Sequence, residues 1–292
     1  MLSLAEYIVG TFGASHYVVS TGVKEVVARL SAPLQPSHIH LSSAITSMTP
    51  SPKSSSLTLL QFSSTEPPIL FSHVVLATQA NQAASLLRLL RDTLPSANDR
   101  KAEQERIDAL GAFEYAPCLV VNHRDESLLP TNLRDRRDLN LTSFPALSPT
   151  SLSGPGGKGT EHTLPPTAIQ STHILSRTHP HLGTGSSLLQ TTNPIVRVDP
   201  MLVLSETWYE RAKVTQRSKA VLPRFMLDNL KTKSPKGKLG LRRGDLQGQR
   251  GVYFVGSWCA EGIPLLEGCV QSAERVVSAI AKAEGAEVSI PF

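Results

Sequence analysis

A glycine-containing stretch near the end of the chain holds the residues best suited to bind a cofactor. Within residues 251–281 an apolar run ends at Gly256-Ser257, a loop follows, and Glu267-Gly268 precedes an amphipathic segment. This pattern predicts a buried strand, a crossover loop and a helix. Glycine lets a ligand approach the backbone, and a helix start offers N–H groups and a positive dipole end. The stretch therefore suits an electron-rich or anionic cofactor group, although an ordinary α/β strand–loop–helix has the same pattern.

The remaining pattern predicts an α/β chain with mixed sheets. Alternating apolar and polar residues over 39–48 predict a half-buried strand, which can form a hairpin with a strand over 57–62. Apolar runs predict further strands over 69–78 and 113–121, and several short strands within 169–208. Apolar residues at helical spacing predict a helix over 23–30, and further helices are predicted over 82–90 and, within a polar and charged stretch, over about 98–110.

These segments resemble the C-terminal part of proteins in the FAD-dependent amine oxidase superfamily, including its NAD(P)/FAD-binding oxidoreductase-like branch. The resemblance rests on VVLAT at 74–78 and on the strand–loop–helix order of 251–281, and it covers about 17–280. It implies an incomplete Rossmann-like FAD-binding domain and a mixed-sheet substrate domain. The chain departs from the superfamily pattern at Ser72 and Ser257, because many members carry an acidic residue at those positions.

The resemblance also implies which residues contact FAD, but it identifies no catalytic residue. In the superfamily, one early strand bonds adenine through its main chain, and small residues after a second strand let the ring lie close. The last strand and its loop contact the ribityl and pyrophosphate groups, and the following helix start faces the pyrimidine end of the isoalloxazine. The corresponding residues here are Ile45, Ala77, Thr78, Gly256, Ser257, Leu266, Glu267 and Gly268.

The resemblance predicts two domains. Residues 1–110 and 245–292 form parts of the FAD-binding domain, and residues 111–244 form the substrate domain, with a flexible loop at about 144–168. Superfamily members open with a βαβ unit whose GxGxxG motif holds the FAD pyrophosphate. We expect the chain to lack this unit, as a truncated gene model, a shortened paralogue or one half of a split protein would.

One GxGxxG motif is present in unsuitable surroundings. Gly154, Gly156 and Gly159 spell the motif within a segment rich in Pro, Ser, Gly and Thr. A nucleotide site needs a buried strand before the motif and a helix after it, so that the phosphate meets a helix N-terminus. We therefore predict no nucleotide site at these glycines.

The function implied by the resemblance is that of an FAD-dependent oxidoreductase of amine-oxidase type. Such an enzyme transfers a hydride from a substrate C–H bond to the flavin, while the protein supplies orientation and electrostatics. The expected partners are a small-molecule substrate and the missing N-terminal FAD-binding part. The alternative is a catalytically inactive remnant that acts as a binding or interaction module.

Histidines offer two further candidate sites. His123 and Asp125 can act as an acid–base pair or fix a turn through bonds to the backbone, and we favour the turn. Four other histidines lie in or beside a loop without further ligands at regular spacing, so we predict no metal site. These are His162, His173, His179 and His181.

Composition favours a soluble globular protein. Of 292 residues, 40% are hydrophobic and 18% charged, and the net charge of +5 is too mild to indicate nucleic-acid binding. Three cysteines without a CxxC pair argue against a disulfide framework and favour a reducing compartment. The N-terminus has no signal-peptide pattern, and no apolar run reaches the roughly 18 residues of a membrane span. We expect a cytoplasmic protein with neither a nucleic-acid partner nor a membrane span.

A basic segment precedes the last predicted strand. Residues 211–250 contain twelve Lys or Arg and two Asp. Such an excess can dock an anionic partner or a membrane surface. We favour a solvated connection, because the segment has few aromatic residues among its charges.

Overall fold

The chain folds into helices and mixed sheets, which confirms the predicted α/β class. The computed structural model describes residues 19, 21–52, 54, 57–63, 67–145, 151–152, 162–163, 167–179, 182, 187–227, 243–262 and 264–287. These residues form two compact units. The described residues of the first lie within 37–114 and 212–287, and those of the second within 19–36 and 115–211. The predicted cofactor and substrate domains stay a prediction, since compactness does not show what either unit binds.

The first unit begins with a three-stranded antiparallel sheet. Its strands, in spatial order, are β1 (Ile45–Pro50), β2 (Thr58–Phe62) and β3 (Ile69–Phe71). The predicted hairpin is confirmed, and Met48 lies opposite Leu60 with both side chains buried. The strand predicted over 39–48 begins only at Ile45, because a 3₁₀ turn occupies Pro36–His38 and Ser42 has a left-handed φ of 56°.

A parallel strand pair with neighbouring helices forms the rest of the first unit. Strand β4 (Val74–Leu76) pairs in parallel with the last strand, β12 (Val252–Phe254). Apolar residues along one face of α2 are buried, which agrees with the helical spacing seen in the sequence. The elements are β4 (Val74–Leu76), α2 (Ala80–Thr93), α3 (Ala97–Leu110), α5 (Gln216–Val221), β12 (Val252–Phe254) and α6 (Leu266–Ala283).

The single strand predicted over 69–78 is wrong. The chain pairs with β2 through Phe71 and then breaks at Ser72-His73. It resumes as β4, which belongs to the parallel pair and not to the antiparallel sheet. An apolar run alone does not reveal this change, because it is compatible with pairing on either side.

The second unit is built on a five-stranded sheet. Its strands, in spatial order, are β11 (Val203–Ala212), β5 (Tyr115–His123), β10 (Leu189–Thr192), β9 (Thr167–Ile174) and β6 (Leu139–Pro145). Strands β10 and β5 are antiparallel, as are β10 and β9, and β6 and β9. Gly154, Gly156 and Gly159, which spell the GxGxxG motif, lie outside the described residues. The elements are α1 (Val23–Ser31), β5 (Tyr115–His123), β6 (Leu139–Pro145), β7 (Ser151–Leu152), β8 (His162–Thr163), β9 (Thr167–Ile174), α4 (Leu175–Thr178), β10 (Leu189–Thr192) and β11 (Val203–Ala212).

A buried ion pair joins α3 to the start of β12. Arg106 has no exposed side-chain surface, and its Nη1 donates to the Glu103 carboxylate at 3.0 Å. Its Nη2 donates to the Val252 carbonyl at 3.0 Å, and the guanidinium lies 4.9 Å from the centre of the Phe254 ring. Burial raises the pKa of Glu103, and the charge of Arg106 opposes that rise. The pair therefore depends on both partners.

Replacing Arg106 tests how strongly it holds this unit. Arg106→Met leaves the Glu103 carboxylate buried without its countercharge, so we expect the free energy of unfolding to fall by about 3–5 kcal/mol. Urea unfolding followed by tryptophan fluorescence measures it. Glu103→Gln combined with Arg106→Met recovers part of the loss, because no buried charge remains.

The matched control for this experiment is Lys101→Met, an exposed cation on the same helix. We expect it to change the free energy of unfolding by less than about 0.5 kcal/mol. Equal effects of the Lys101 and Arg106 variants would contradict the proposed role of the buried pair.

Candidate functional site

The parallel strands bring two predicted binding segments to one edge. Val74 lies opposite Val252 and Leu76 opposite Phe254, and the Val255 N–H continues the ladder by donating to the Leu76 carbonyl at 3.1 Å. Residues 77–78 and 256–257 therefore leave the pair at its carboxyl edge. This is the edge at which open α/β sheets bind ligands.

A tryptophan ties the two strand ends together. The Trp258 indole Nε1–H donates to the Thr78 carbonyl at 3.0 Å, and the indole itself is buried. Gly256 has a φ of 150°, and a side chain there would meet Trp258 Nε1 at 3.0 Å. The glycine is therefore required by the backbone conformation and by the close indole. Ala77 and Thr78 remain exposed beside it.

Ser272 attaches helix α6 to the same strand end. Its buried Oγ accepts a hydrogen bond from the Gly256 N–H at 3.0 Å. The hydroxyl proton lies within reach of the Gly256 carbonyl at 3.2 Å and the Cys269 carbonyl at 3.0 Å. The Ser272 hydroxyl therefore pairs with the Gly256 N–H, which would be costly to leave unpaired beside the buried side chain.

The first turn of α6 packs tightly on the loop after β12. A side chain at Gly268 would meet the Ala260 Cβ at 2.8 Å and the Ser257 carbonyl oxygen at 3.3 Å. The predicted helix start, directly after Gly268, is three residues too late: α6 begins at Leu266 and so includes Glu267 and Gly268. Close packing explains this glycine without any ligand.

The N-terminus of α6 offers backbone donors at the surface. Leu265, the residue before the helix, provides no side-chain cap. Leu266 is 69% exposed, and the exposed Glu267 carboxylate accepts a bond from Gln271 Nε2 at 3.2 Å. Uncapped N–H groups and the positive helix dipole suit an electron-rich group.

The structure thus brings most of the predicted residues near one another, and the remaining one lies in the other sheet of the same unit. Ile45 begins β1 in the antiparallel sheet, opposite Phe62 and beside an irregularity in the strand register. Trp258 and Ser272 were not among the predicted site residues, although both determine the shape of the edge. The spacing of Gly268 and Ser272, one helical turn apart, is the sequence feature that could have indicated a shared helix face.

His123 fixes a turn in the second unit, which is the role that we favoured over an acid–base pair. It is fully buried, its Nδ1 accepts from the Asp125 N–H at 3.1 Å, and its Nε2 donates to Thr191 Oγ1 at 2.7 Å. Thr191 in turn bonds Thr172 Oγ1 at 2.9 Å. Burial lowers the pKa of His123, although the Asp125 charge opposes this. The ring is therefore neutral and held on both sides.

Asp125 completes the turn as a buried acceptor. Its carboxylate accepts from Ser127 Oγ at 2.6 Å, from the Ser127 N–H at 3.0 Å and from the Asp199 N–H at 2.9 Å. Burial acts to raise the pKa of Asp125, but these hydrogen bonds outweigh it and lower the pKa. The carboxylate stays ionised and is occupied by structural bonds, so it is unsuited to act as an acid–base partner of His123.

Several arginines of the basic segment are paired inside the first unit. Arg224 bonds Asp245 at 2.7 Å, Arg250 bonds Asp99 at 2.7 Å, and Arg243 lies 3.7 Å from the Glu261 carboxylate. The described part of 211–250 is therefore not a continuous unpaired cationic patch. Residues 228–242, with their four lysines, lie outside the described residues.

The described ranges hold neither a metal-ligand cluster nor a helix that could span a membrane. These ranges contain no group of three or more His, Cys, Asp or Glu side chains arranged to hold a metal ion. No helix within them is long and apolar enough to cross a bilayer.

The family model described as flavin containing amine oxidoreductase matches residues 4–281. The chain belongs to this family. Membership implies a flavin cofactor, FAD, and agrees with the resemblance inferred from 74–78 and 251–281. No curated protein matched the chain by sequence.

Two solved structures resemble this member of the amine oxidoreductase family. One, assigned as a protoporphyrinogen oxidase from Exiguobacterium sp. 255-15, is 12% identical with a TM-score of 0.52, over 91% of this chain and 52% of that chain. The other, a reduced UDP-galactopyranose mutase, is 11% identical with a TM-score of 0.45, over 90% of this chain and 52% of that chain. The first similarity supports the fold alone. The chain spans about half the length of either structure.

The edge of the parallel pair fits part of a flavin cofactor. Exposed small residues at 77–78 leave the backbone accessible to a flat ring, and the α6 N-terminus offers donors to carbonyl oxygens. The glycines at 256 and 268 contribute by packing, since Trp258 and Ala260 fill the space beside them. The individual FAD contacts stay predictions.

Burial of His123 makes stability depend on pH. Its folded pKa lies below its unfolded value of about 6.5, so the unfolded chain takes up a proton first as pH falls. We expect the free energy of unfolding to be fully maintained above about pH 6.5 and to decrease below it. Urea unfolding between pH 7.5 and 5, compared with His123→Gln, should show a weaker decrease in the variant.

The control is His38→Gln, because the His38 ring is exposed. It should retain the pH dependence of the unchanged chain. If His123→Gln and the unchanged chain lose stability in parallel over this range, the buried ring does not cause the dependence.

Proposed function

We propose that the chain is the flavin-binding and substrate-facing part of an FAD-dependent oxidoreductase of amine-oxidase type. Family membership over 4–281 supports this function. The observation that carries it is the joining of the two strand ends by the Trp258 bond to the Thr78 carbonyl. That bond keeps the backbone of both segments at one ligand-binding edge.

In this proposal the strand ends hold opposite parts of FAD. Ile45, Ala77 and Thr78 contact the adenine, and the exposed small residues leave room for the ring. Gly256 and Ser257 face the ribityl and pyrophosphate groups. The Ser257 hydroxyl takes the place of the acidic residue that many superfamily members carry, so it supplies a neutral donor and acceptor.

The helix start completes the proposed contacts. The N–H groups of Leu266 and Glu267 face the pyrimidine end of the ring, where the dipole of α6 stabilises electron density. Gly268 contributes through its close packing on Ala260, because its own N–H donates to the Leu265 carbonyl at 3.0 Å. When bound, FAD would supply the ring that accepts a hydride from a substrate C–H bond. The chain's contribution is rigidity, because Ser272 fixes the strand end relative to the helix.

A non-catalytic interaction module is the second candidate function. Helix α1 supports it, because Val23, Val27 and Leu30 are 57%, 58% and 62% exposed along one helical face. Exposed apolar residues at this spacing are typical of a surface that another protein covers. In this function the chain keeps the family fold without binding FAD.

Flavin binding separates the two functions. The purified chain, mixed with FAD and desalted, should retain the visible absorption bands of a flavin. Ala77→Trp should weaken FAD binding at least about tenfold, because a large ring at this exposed place occupies the adenine position. Quenching of flavin fluorescence during titration with protein measures the dissociation constant.

Arg88→Trp is the matched control, an equally exposed position on α2. It should bind FAD like the unchanged chain. A colourless chain that fails to bind added FAD would overturn the oxidoreductase proposal and favour the interaction module. Equal weakening by both tryptophan variants would reject the proposed adenine position.

A further inference from the structure

Two cysteines lie on either side of the contact between the loop after β12 and helix α6. Cys259 ends the 3₁₀ turn Ser257–Cys259, and Cys269 lies in the first turn of α6. The sequence has three cysteines, and all of them are free thiols. We propose that Cys259 and Cys269 are a modification site, a dithiol that hydrogen peroxide converts into a reversible disulfide between the turn and the helix.

Hydrogen bonds bring the backbones of the two cysteines together. The Cys259 N–H donates to the Gly256 carbonyl at 3.0 Å. The same carbonyl lies 3.2 Å from Ser272 Oγ, and this hydroxyl lies 3.0 Å from the Cys269 carbonyl. The two segments that carry the thiols are therefore connected through a single serine hydroxyl.

Close packing next to both cysteines holds these segments in contact. A side chain at Gly268 would meet the Ala260 Cβ at 2.8 Å and the Ser257 Cα at 3.4 Å. Ala260 directly follows Cys259, and Gly268 directly precedes Cys269. A disulfide needs Cα atoms within about 7 Å of each other, a separation that segments in such contact can reach.

The two thiols also act on each other through their charge. Burial raises the pKa of Cys259 well above its usual value, and the charge of Cys269 raises it further. Because such an interaction falls off with distance, the two sulfur atoms belong to one local cluster. The third cysteine, Cys118, is buried in the second unit and serves as an internal control.

Exposure sets the order in which the thiols react. Cys269 is partly exposed, whereas Cys259 is 1% exposed, so peroxide meets Cys269 first. The Cys269 sulfur attacks one peroxide oxygen, the O–O bond breaks, and a sulfenic acid and one water form. The Cys259 sulfur then attacks the sulfenic sulfur, and the S–S bond forms with loss of a second water. The two thiols give up two electrons, which reduce the peroxide.

The source of the oxidant rests on the proposed function. Hydrogen peroxide forms when oxygen reoxidises a reduced flavin, and Cys259 belongs to the turn that leaves the candidate flavin edge. Disulfides in a reducing compartment are usually transient and often sense oxidants. The dithiol therefore suits a sensor of peroxide released at this edge.

Peptide mapping by mass spectrometry tests the site. The full chain without FAD is treated with hydrogen peroxide, alkylated and digested without reducing agent. We expect a peptide pair linked through Cys259 and Cys269, which dithiothreitol separates again, while Cys118 stays a thiol. The control variant Cys118→Ser should form the same linked pair to the same extent.

Two variants separate the roles of the thiols. Cys269→Ser removes the thiol that peroxide reaches first, so oxidation of Cys259 should be at least about tenfold slower than in the unchanged chain. Cys259→Ala leaves the Cys269 sulfenic acid without a partner, so labelling by dimedone should increase at least about fivefold. Both substitutions are small, and thermal unfolding of each variant checks that it folds.

Three outcomes would overturn the proposal. These are oxidation of Cys118 as fast as that of Cys269, a disulfide between two copies of the chain, and a Cys269 sulfinic acid in the unchanged chain without any link to Cys259. Failure of FAD binding leaves the test unaffected, because no flavin is present and the peroxide is added.

Discussion

A guanidinium group removed from water must find a countercharge and hydrogen-bond acceptors within the protein. Arg106 finds them in the Glu103 carboxylate and the Val252 carbonyl, between helix α3 and the first residue of β12. The cost of burying this charge is offset only while both elements stay in place. The position of β12, and hence the edge where its last residues emerge, depends on this interaction.

From that constraint the candidate site follows in steps. Strand β12 lies parallel to β4, so both chains turn away from the sheet at the same end. Trp258 then closes onto the Thr78 carbonyl, and Ser272 holds Gly256 against α6. The Trp258 indole and the Ser272 hydroxyl are buried, and buried polar groups are costly to leave unpaired, so these bonds define one arrangement. The site is thus preorganised by the protein itself.

Local sequence patterns predict the helices and strands better than they predict which of these elements pair or pack together. The helix predicted over 98–110 is observed as Ala97–Leu110, because a helix start is a local feature: the Ser96 side chain accepts from the Asp99 N–H. The apolar run over 69–78 predicts one strand. Only long-range pairing shows that it contributes strands to two different sheets. The site residues came from a family resemblance. The bonds made by Ser272, Arg106 and Trp258 span 16, 146 and 180 residues of sequence, so local patterns do not show their partners.

Hydrogen–deuterium exchange of the full chain with and without FAD tests the central claim most directly, because it reports where the cofactor touches the backbone. The account predicts slower exchange on FAD addition at 76–79, 256–258 and 266–269, the three segments that meet at the parallel edge. Unchanged exchange in all three segments at saturating FAD, or protection confined to the second unit, would contradict it.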